Sequence, residues 1–455
     1  MGNIAVTPVQ SAVMADEYGC GQTGSSSDSA GAGNAFATVA AVFEALDSAG
    51  IRYCVLHGYE EFPRLVGSDI DIVVSRDAET DKLNGIVAQP VEKSGARIVR
   101  GHNLFITLQI GSGLNFVTLD FQKDCAVGGI RVCEGEAILG SRRRHSLCWV
   151  PTAGLEFACT LARAILKRRL DDRRTKRLGR LFEQDSGECL AMLRKHWRER
   201  RVEEFASAAL SGNWWPIVRQ QATLRRELRL DRIRADASWH ASNYLRAWSA
   251  RVKRVLRPRG LNVVLLGPDG AGKSSVIAAL ESGMIGPFAR TEVRGFAPAL
   301  HRLVRGGPVR TDQPHALPAR SLPVSMLRAG YWLFYNWMSF FTIRLAIARN
   351  TLVLNDRHFI DILVDRVRYR YGGPGWLLRL ISRLAPQPHM FVLLDAPAEV
   401  LHARKPELTL AETRRQCKEY RELLRSVRSG HVVNANQPLD RVIGDVAGLI
   451  LEHAP

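Results

Sequence analysis

The sequence predicts a multidomain α/β protein with a helical middle section between two α/β domains. Three observations predict this class. After residue 260, short apolar runs typical of buried parallel strands recur as NVVLLG, TLVLND and HMFVLLDA. Before residue 150, shorter alternating runs read YCVLH, SDIDIVVS and NFVTLDFQ. Between these two parts, arginine-rich segments show helical periodicity without strand signals.

These patterns divide the 455-residue chain into four parts. Residues 1–33, rich in Gly, Ser and Ala, are predicted to be disordered. A small α/β domain is expected at 34–150, a basic helical domain at 151–259 and a second α/β domain at 260–455, in which a parallel sheet is flanked by helices. Within the last domain, the Pro- and Gly-rich stretch 302–323 predicts a mobile loop over a binding site.

The net charge of +18 is concentrated in the middle section, since residues 142–260 hold 29 Lys and Arg against 12 Asp and Glu. Such a density is typical of a surface for anionic ligands, or of solvated helix faces. Runs such as RRLDDRRTKR place acids at helical spacing from arginines, which favours internal pairing over nucleic-acid binding. Four tryptophans in this section are expected to pack in the core rather than to stack on bases: Trp214, Trp215, Trp239 and Trp248.

The sequence gives no sign of a membrane span or a secretory leader. Its strongest apolar run, at 329–343, is shorter than the roughly 20 residues that a spanning helix needs, and it predicts a buried helix. The eight cysteines are scattered without a CxxC pair, which favours free thiols in a reducing compartment. A cytoplasmic location is therefore expected.

A phosphate-binding loop follows the first apolar strand of the last domain. Gly267, Gly272, Lys273 and Ser274 fit the pattern G-x-x-x-x-G-K-[ST] between a strand and a helix. Glycines let backbone N–H groups surround a phosphate, and the helix adds the positive end of its dipole. Lys273 supplies a charge to the outer phosphates, and Ser274 a hydroxyl for Mg²⁺. Asp269, an acid in this loop, is favourable only if it points out of the cradle.

The loop GPDGAGKS closely resembles that of thymidylate kinases, and the likeness continues through LVLNDRHFID and VLLDAPAEVLHARK over about 260–455. It implies ATP and Mg²⁺ as cofactors. Asp269 would face the phosphate acceptor, Asp356 would organise Mg²⁺ and Arg357 would clamp an acceptor phosphate. The resemblance implies a donor-nucleotide site made of Gly267, Asp269, Gly270, Gly272, Lys273, Ser274, Ser275 and Arg404, with Arg404 stacking on adenine.

The loop carries no arginine of its own, and the resemblance implies that the catalytic cation then comes from the lid, which lies within RKPELTLAETRRQCKEYRELL. Lys405, Arg414 and Arg415 are the candidates. The acceptor region departs from thymidylate kinases, so the acceptor is expected to be a nucleotide or another small phosphorylated compound such as a sugar phosphate. Six charged residues face an acceptor or serve as structural charges: Arg310, Asp312, His315, Asp361, Asp365 and Arg368.

A second site is predicted in the first α/β domain. Asp69 and Asp71 alternate with isoleucines, so both carboxylates project from one face of a strand, and Asp120 on another strand is a third acid. Adjacent acids repel unless a divalent cation bridges them. The segment LHGYEEFPRLVGSDIDIVV resembles nucleotidyltransferases of the DNA polymerase beta type, which implies a metal and a triphosphate here. Tyr59 follows the glycine where that family prefers Gly or Ser, and is expected to crowd the triphosphate.

Together these features predict an ATP-dependent phosphotransferase fused to a nucleotidyltransferase domain. Two alternatives stay open: a nucleotidyltransferase acting on tRNA or protein with a regulatory phosphate-binding domain, and a nucleotide-gated binding protein without turnover.

Overall fold

The computed structural model describes residues 26–59, 61–62, 66–102, 105–111, 113–295 and 318–454. Much of the predicted loop at 302–323, and with it Arg310, Asp312 and His315, lies outside these residues. Among the described helices, none has both the length and the apolar character needed to cross a membrane.

The first sheet has five strands in the order β1-β2-β5-β4-β3. Strands β2 and β5 pair in parallel and the other neighbours are antiparallel. The register of β2 on β5 sets Asp71 directly beside Asp120. The strand bounds are β1 Tyr53–Val55, β2 Asp69–Val74, β3 Arg97–His102, β4 Phe105–Gln109 and β5 Phe116–Gln122.

Two long helices and two small hairpins complete this part of the chain. Helix α1 (Ser26–Ser48) packs on α2 (Thr80–Lys93). Helix α1 begins within the segment predicted to be disordered, because its Ala and Ser residues are compatible with a helix that tertiary packing stabilises. The remaining elements are β6 Cys125–Val127, β7 Ile130–Cys133, α3 Gly135–Gly140, β8 Arg143–His145 and β9 Cys148–Val150.

Seven helices follow, and the first six of them contribute buried side chains to one apolar cluster. Phe157, Leu181, Phe205 and Trp214 are buried at its centre. Trp214 is therefore in the core as predicted, whereas Trp215 and Trp248 are exposed, contrary to that prediction. The helices are α4 Ala153–Lys167, α5 Asp172–Gln184, α6 Ser186–Arg194, α7 Glu199–Ser211, α8 Trp215–Arg219, α9 Gln221–Ala235 and α10 Ala237–Leu256.

The second sheet is parallel throughout its five strands, in the order β11-β12-β10-β13-β14. This confirms the mixed α/β class and the parallel sheet expected from the apolar runs. Its strands are β10 Leu261–Leu266, β11 Arg290–Gly295, β12 Thr351–Asp356, β13 Met390–Asp395 and β14 Gly430–Asn434.

Helices accompany the strands of the second sheet. The run 329–343 lies within α12 and was predicted to be buried, but Phe334, Met338 and Phe341 are more than half exposed. The helices are α11 Lys273–Gly283, α12 Leu322–Ala348, α13 Asp361–Val364, α14 Gly375–Leu384, α15 Ala398–Arg404, α16 Leu410–Ser426 and α17 Leu439–Glu452.

The two sheets are joined by a packed interface. Phe116 of β5 is buried in the same apolar cluster as Met284 and Phe288 of the second α/β part. Arg100 of β3 is 9% exposed and donates to the carbonyl oxygens of Pro287 and Arg259, both at 2.5 Å. Burial lowers the pKa of Arg100 to about 10, so the guanidinium remains charged at neutral pH.

Replacing Arg100 tests this interface. We expect Arg100→Met to lower the free energy of unfolding by about 3 kcal/mol, because two buried carbonyls lose a charged donor. Arg97→Met is the matched control, since Arg97 is exposed on the same strand and bonds within its own sheet, to Gln109. Urea unfolding followed by tryptophan fluorescence measures both. Equal losses would show that Arg100 does not stabilise the interface.

Candidate functional site

The phosphate-binding loop connects β10 to α11. Gly267 has φ +143°, and a Cβ there would lie 2.8 Å from the carbonyl oxygen of Leu394. Gly270 and Gly272 also have positive φ, at +86° and +84°. Only glycine adopts these conformations at low cost, so the glycine pattern is a backbone requirement of the turn. The turn ends where α11 begins, with the N–H groups of the first helical turn directed at the loop.

Lys273 is folded onto its own loop. Its Nζ donates to the carbonyl oxygens of Gly267 at 2.7 Å and Pro268 at 2.9 Å, and the residue is 7% exposed. Burial, with the nearby Arg357, lowers the pKa of Lys273 to about 8. A phosphate in the loop would offer this ammonium a full negative charge in place of two carbonyl dipoles. Ser274 and Ser275 follow on the exposed side of the helix start.

Asp269 turns toward two arginines, Arg357 and Arg368. It pairs with Arg357 at 2.7 Å and with Arg368 at 2.5 Å. Burial opposes ionisation of Asp269, but the two guanidinium groups hold its pKa well below the usual range. Its carboxylate is therefore ionised at neutral pH, and it orients both arginines beside the loop.

Asp356 and Arg357 lie at the end of β12, next to the phosphate-binding loop. The register pairs Asp356 with Leu265, close to the point where β10 enters the loop. The Oδ1 atom of Asp356 is buried without a hydrogen-bond partner among the described residues. Arg357 has φ +80°, a costly conformation for a residue with a side chain. Such strain beside a binding loop is typical of a functional position.

The residues around Asp356 fit a Mg²⁺ ion by the chemistry of their donor atoms. A buried carboxylate oxygen without a partner is costly unless a cation or water satisfies it. Mg²⁺ prefers carboxylate, hydroxyl and water oxygens, and it is usually held by one or two protein groups together with a nucleotide. Asp356 and Ser274 are the groups that would hold it. Within the described part of the chain, no group of three His, Cys, Asp or Glu side chains is arranged to hold a metal ion alone.

Two acids and one arginine near Arg357 have clear positions. Asp361 is 1% exposed and accepts hydrogen bonds from the Tyr420 hydroxyl at 2.7 Å and the His358 N–H at 2.6 Å. Asp365 is buried and accepts from the backbone N–H of Arg368. Both therefore brace the segment after β12 and do not face an acceptor directly. Arg368 differs, because its guanidinium reaches Asp269 at the edge of the loop.

The three cations proposed for the lid have partners. Lys405 directly follows α15 and lies beside the loop. A Cβ added to Gly270 would lie 3.4 Å from the Cβ of Lys405. The Nζ of Lys405 pairs with Glu407. Arg414 pairs with Glu399, and Arg415 with Glu412 and Glu419. Lys405 is thus the cation that this geometry places against the loop.

Arg404 also has a partner close to the end of the second sheet. Its Nη1 donates to the carbonyl oxygen of Ala435 at 3.0 Å. This bond holds the guanidinium beside the segment after β14, near the carboxyl ends of the strands. The stacking on adenine that the resemblance implies stays a prediction.

A cleft of about 340 Å³ lies over the first sheet. Asp69 and Asp71 line it, and Asp120 is adjacent to Asp71. Burial, together with the charges of Asp71 and Asp69, raises the pKa of Asp120 to about 7. The pKa of Asp69 is also raised, by burial and by Asp71. Three crowded carboxylates, of which Asp69 and Asp120 have raised pKa values, are the electrostatic setting that a divalent cation relieves.

Protein groups already engage two of these acids. Arg163 pairs with Asp71 at 2.5 Å, and Gln122 donates to Asp71 at 2.9 Å and to Asp120 at 3.1 Å. A metal ion bound by all three acids would have to displace Arg163. Carboxylate oxygens are the donors that a hard cation prefers, but the three acids are not arranged to hold one in the described structure, in which Arg163 supplies the positive charge.

The helical middle supplies five cations to this cleft that sequence reasoning did not assign to a site. They come from α4 and α5, where spacings of three and four residues put them on shared helix faces. That spacing is visible in the sequence, but it does not show which surface the face meets. The five are Arg163, Lys167, Arg173, Arg174 and Arg177.

The glycine turn of the cleft is built tightly against the strand of acids. Gly58 has φ +90°, and a Cβ there would lie 2.8 Å from the carbonyl oxygen of Asp69. Tyr59 was expected to crowd a ligand, but it is 2% exposed and donates its hydroxyl to Glu156, while Arg177 donates to the Tyr59 oxygen at 2.9 Å. The ring of Tyr59 therefore points into the protein, where its hydroxyl bonds to the buried carboxylate of Glu156.

Comparison with known proteins does not assign the chain to a family. No family model and no curated protein matches the chain. Among solved structures, thymidylate kinase from Candida albicans is similar, with 15% sequence identity and a TM-score of 0.34 over 43% of this chain and 94% of that protein. This similarity is too weak to assign the chain to a family.

The strained loop glycine can be tested by substitution. We expect Gly267→Ala to lower the free energy of unfolding by about 3 kcal/mol, because its Cβ would clash with Leu394 in a backbone conformation that alanine avoids. Gly448→Ala is the matched control. A Cβ at Gly448 in α17 meets nothing within 4 Å, and alanine there favours the helix. Thermal unfolding should move in opposite directions for the two variants, and equal shifts would contradict the argument.

Proposed function

We propose that this chain is an ATP-dependent phosphotransferase. The observation that carries the proposal is the meeting of three features at one strand edge: a glycine-built anion cradle, the buried Lys273, and an Asp356 oxygen that has no hydrogen-bond partner in the described part of the chain. Ligands of open α/β sheets bind beyond the carboxyl ends of the strands, which is where these groups lie. The three features together suit a nucleoside triphosphate.

Each group has a definite role in this proposal. Backbone N–H groups of the loop and the ammonium of Lys273 bind the β- and γ-phosphates. Bound Mg²⁺, held by Asp356 and Ser274, would neutralise charge on the transferred group. Lys405 approaches the same phosphates from the lid. Rate enhancement then comes from positioning and charge neutralisation, because phosphoryl transfer needs little covalent chemistry from the protein.

The acceptor would bind on the side of Arg357. A cavity of about 260 Å³ adjoins this arginine and is lined mainly by polar side chains, including Arg294, Tyr335, Asn336 and Ser339. Arginine favours phosphate through its planar fork of donors, and Asp269 holds that fork in place. A small phosphorylated acceptor with hydroxyl groups, such as a nucleotide or a sugar phosphate, suits this lining.

The kinase proposal is tested with MgATP and a panel of nucleoside monophosphates and sugar phosphates, followed by phosphorus NMR. We expect ADP and a newly phosphorylated panel member. Lys273→Ala should reduce the rate by about 100-fold or more, because a charge on the developing transition state is lost. Asp356→Asn should reduce the rate as well.

Lys418→Ala is the control for these variants, since Lys418 is exposed on α16 and lies outside the loop. It should keep the full rate. If ADP forms as fast with Lys273→Ala as with the unchanged protein, the proposed site is not the source. ATP binding without any product would favour a nucleotide-gated binding protein.

A second candidate activity is nucleotidyl transfer at the N-terminal cleft. It is favoured by one specific observation, the combination of Asp69 and Asp71 with a cluster of cations from α4 and α5 in a single cleft. Acids bind a divalent cation, while arginines bind the phosphates of a triphosphate. The inward position of Tyr59 leaves the glycine turn open to such a ligand.

This second activity is tested by pyrophosphate release from nucleoside triphosphates, with the same panel or with RNA as acceptor. We expect Asp69→Asn/Asp71→Asn to remove pyrophosphate release while ADP formation by the other site continues. Asp77→Asn, an exposed acid after the same strand, should leave it intact. Pyrophosphate release that survives the double substitution would refute the assignment. Release only with RNA would favour a nucleotidyltransferase acting on tRNA.

A further inference from the structure

Helix α10 carries an apolar stripe that faces solvent. Six apolar side chains on this helix are between 38% and 72% exposed. At 3.6 residues per turn they fall within an arc of about 120°, which is the width of a helix face that normally packs on a protein core. The stripe consists of Tyr244, Leu245, Trp248, Val252, Val255 and Leu256.

The helix is also poorly covered on its other sides. After His240, the described side chains of α10 are almost all exposed. In proteins, an amphipathic helix gains most of its stability from burying its apolar face. A partner that covers the stripe would therefore stabilise α10.

The charged residues of α10 itself are all positive. Helix α10 contains Arg246, Arg251, Lys253 and Arg254 and no Asp or Glu. On a helical wheel, Arg251 flanks one edge of the apolar arc and Lys253 the other. The distribution matches helices that lie in a membrane interface, where aromatic and aliphatic side chains enter the acyl region and cations meet lipid phosphates.

The neighbouring helix α12 also combines exposed apolar side chains with positive charge. It packs against α10 and exposes an apolar face that includes Leu327, Phe334 and Phe341. Its charged residues are Arg328 and Arg344, again without an acid. Both adjoining helices therefore expose apolar side chains, and the charged residues they carry are all positive.

We propose that α10 binds the surface of an anionic lipid bilayer, with its apolar stripe in the interface and its cations at the lipid phosphates. A second copy of the chain fits less well, because apposing α10 with itself brings like charges together. Single-stranded nucleic acid fits less well too. Stacking sites place aromatic rings among cations, whereas four of the six stripe residues are aliphatic: Leu245, Val252, Val255 and Leu256.

The test is flotation of the full-length protein with vesicles of phosphatidylcholine alone or with about 30% phosphatidylglycerol, which supplies the anionic surface that attracts cations. We expect binding to the anionic vesicles that weakens as salt is raised. Leu245→Glu/Leu256→Glu should lower the partition coefficient by about tenfold or more, because charge enters the apolar face. Arg251→Ala/Lys253→Ala should lower it by about fivefold for each cation removed.

Leu210→Glu/Leu439→Glu is the matched control, since these two leucines are exposed on α7 and α17, away from the stripe. It should float like the unchanged protein. Absence of vesicle binding, or equal binding by the stripe variant, would overturn the proposal. The proposal would also be overturned if the protein bound no vesicles and instead formed a dimer in sedimentation velocity, or bound a labelled RNA, and the stripe substitutions abolished that association.

Discussion

The parallel pairing of β10 with β12 is the constraint on which the second half of the molecule depends. It sets Leu265 beside Asp356, so the loop after one strand and the acid at the end of the other meet at one edge. A shift by one residue would turn Asp356 to the opposite face of the sheet. Both strands are apolar and covered on their two faces, as is typical of strands in a parallel sheet.

Electrostatics at this edge follows from that register. Asp269 sits in a loop predicted to bind an anion, where a carboxylate would repel phosphate, but Arg357 and Arg368 bind it on the outer side. The acid thus serves to hold two cations at a fixed distance from the cradle. The strained backbone of Arg357 is tolerated because this ion pair and the buried Asp361 fix the segment around it.

Much of this arrangement could be predicted from the sequence, because its signals are local. The apolar runs predicted β10, β12 and β13, and the glycine pattern predicted the loop and Lys273. Strands β3 and β4 were not predicted, since their residues interrupt the alternation; Arg100, for example, is buried against the other half of the chain. The cations Arg163 and Arg177 could not be assigned either, because helical spacing does not reveal which surface a face meets.

The same limit explains the exposed helices. Local sequence showed that 329–343 is apolar and helical, yet burial depends on whether the rest of the fold supplies a covering surface. The contacts between the two halves of the chain are made elsewhere, by residues such as Phe116 and Arg100. This interface fixes the first sheet to the second, and α4 and α5 extend the first sheet's cleft with cations. The two candidate sites therefore belong to one packed body, and α10 and α12 are left with apolar faces that neither half covers.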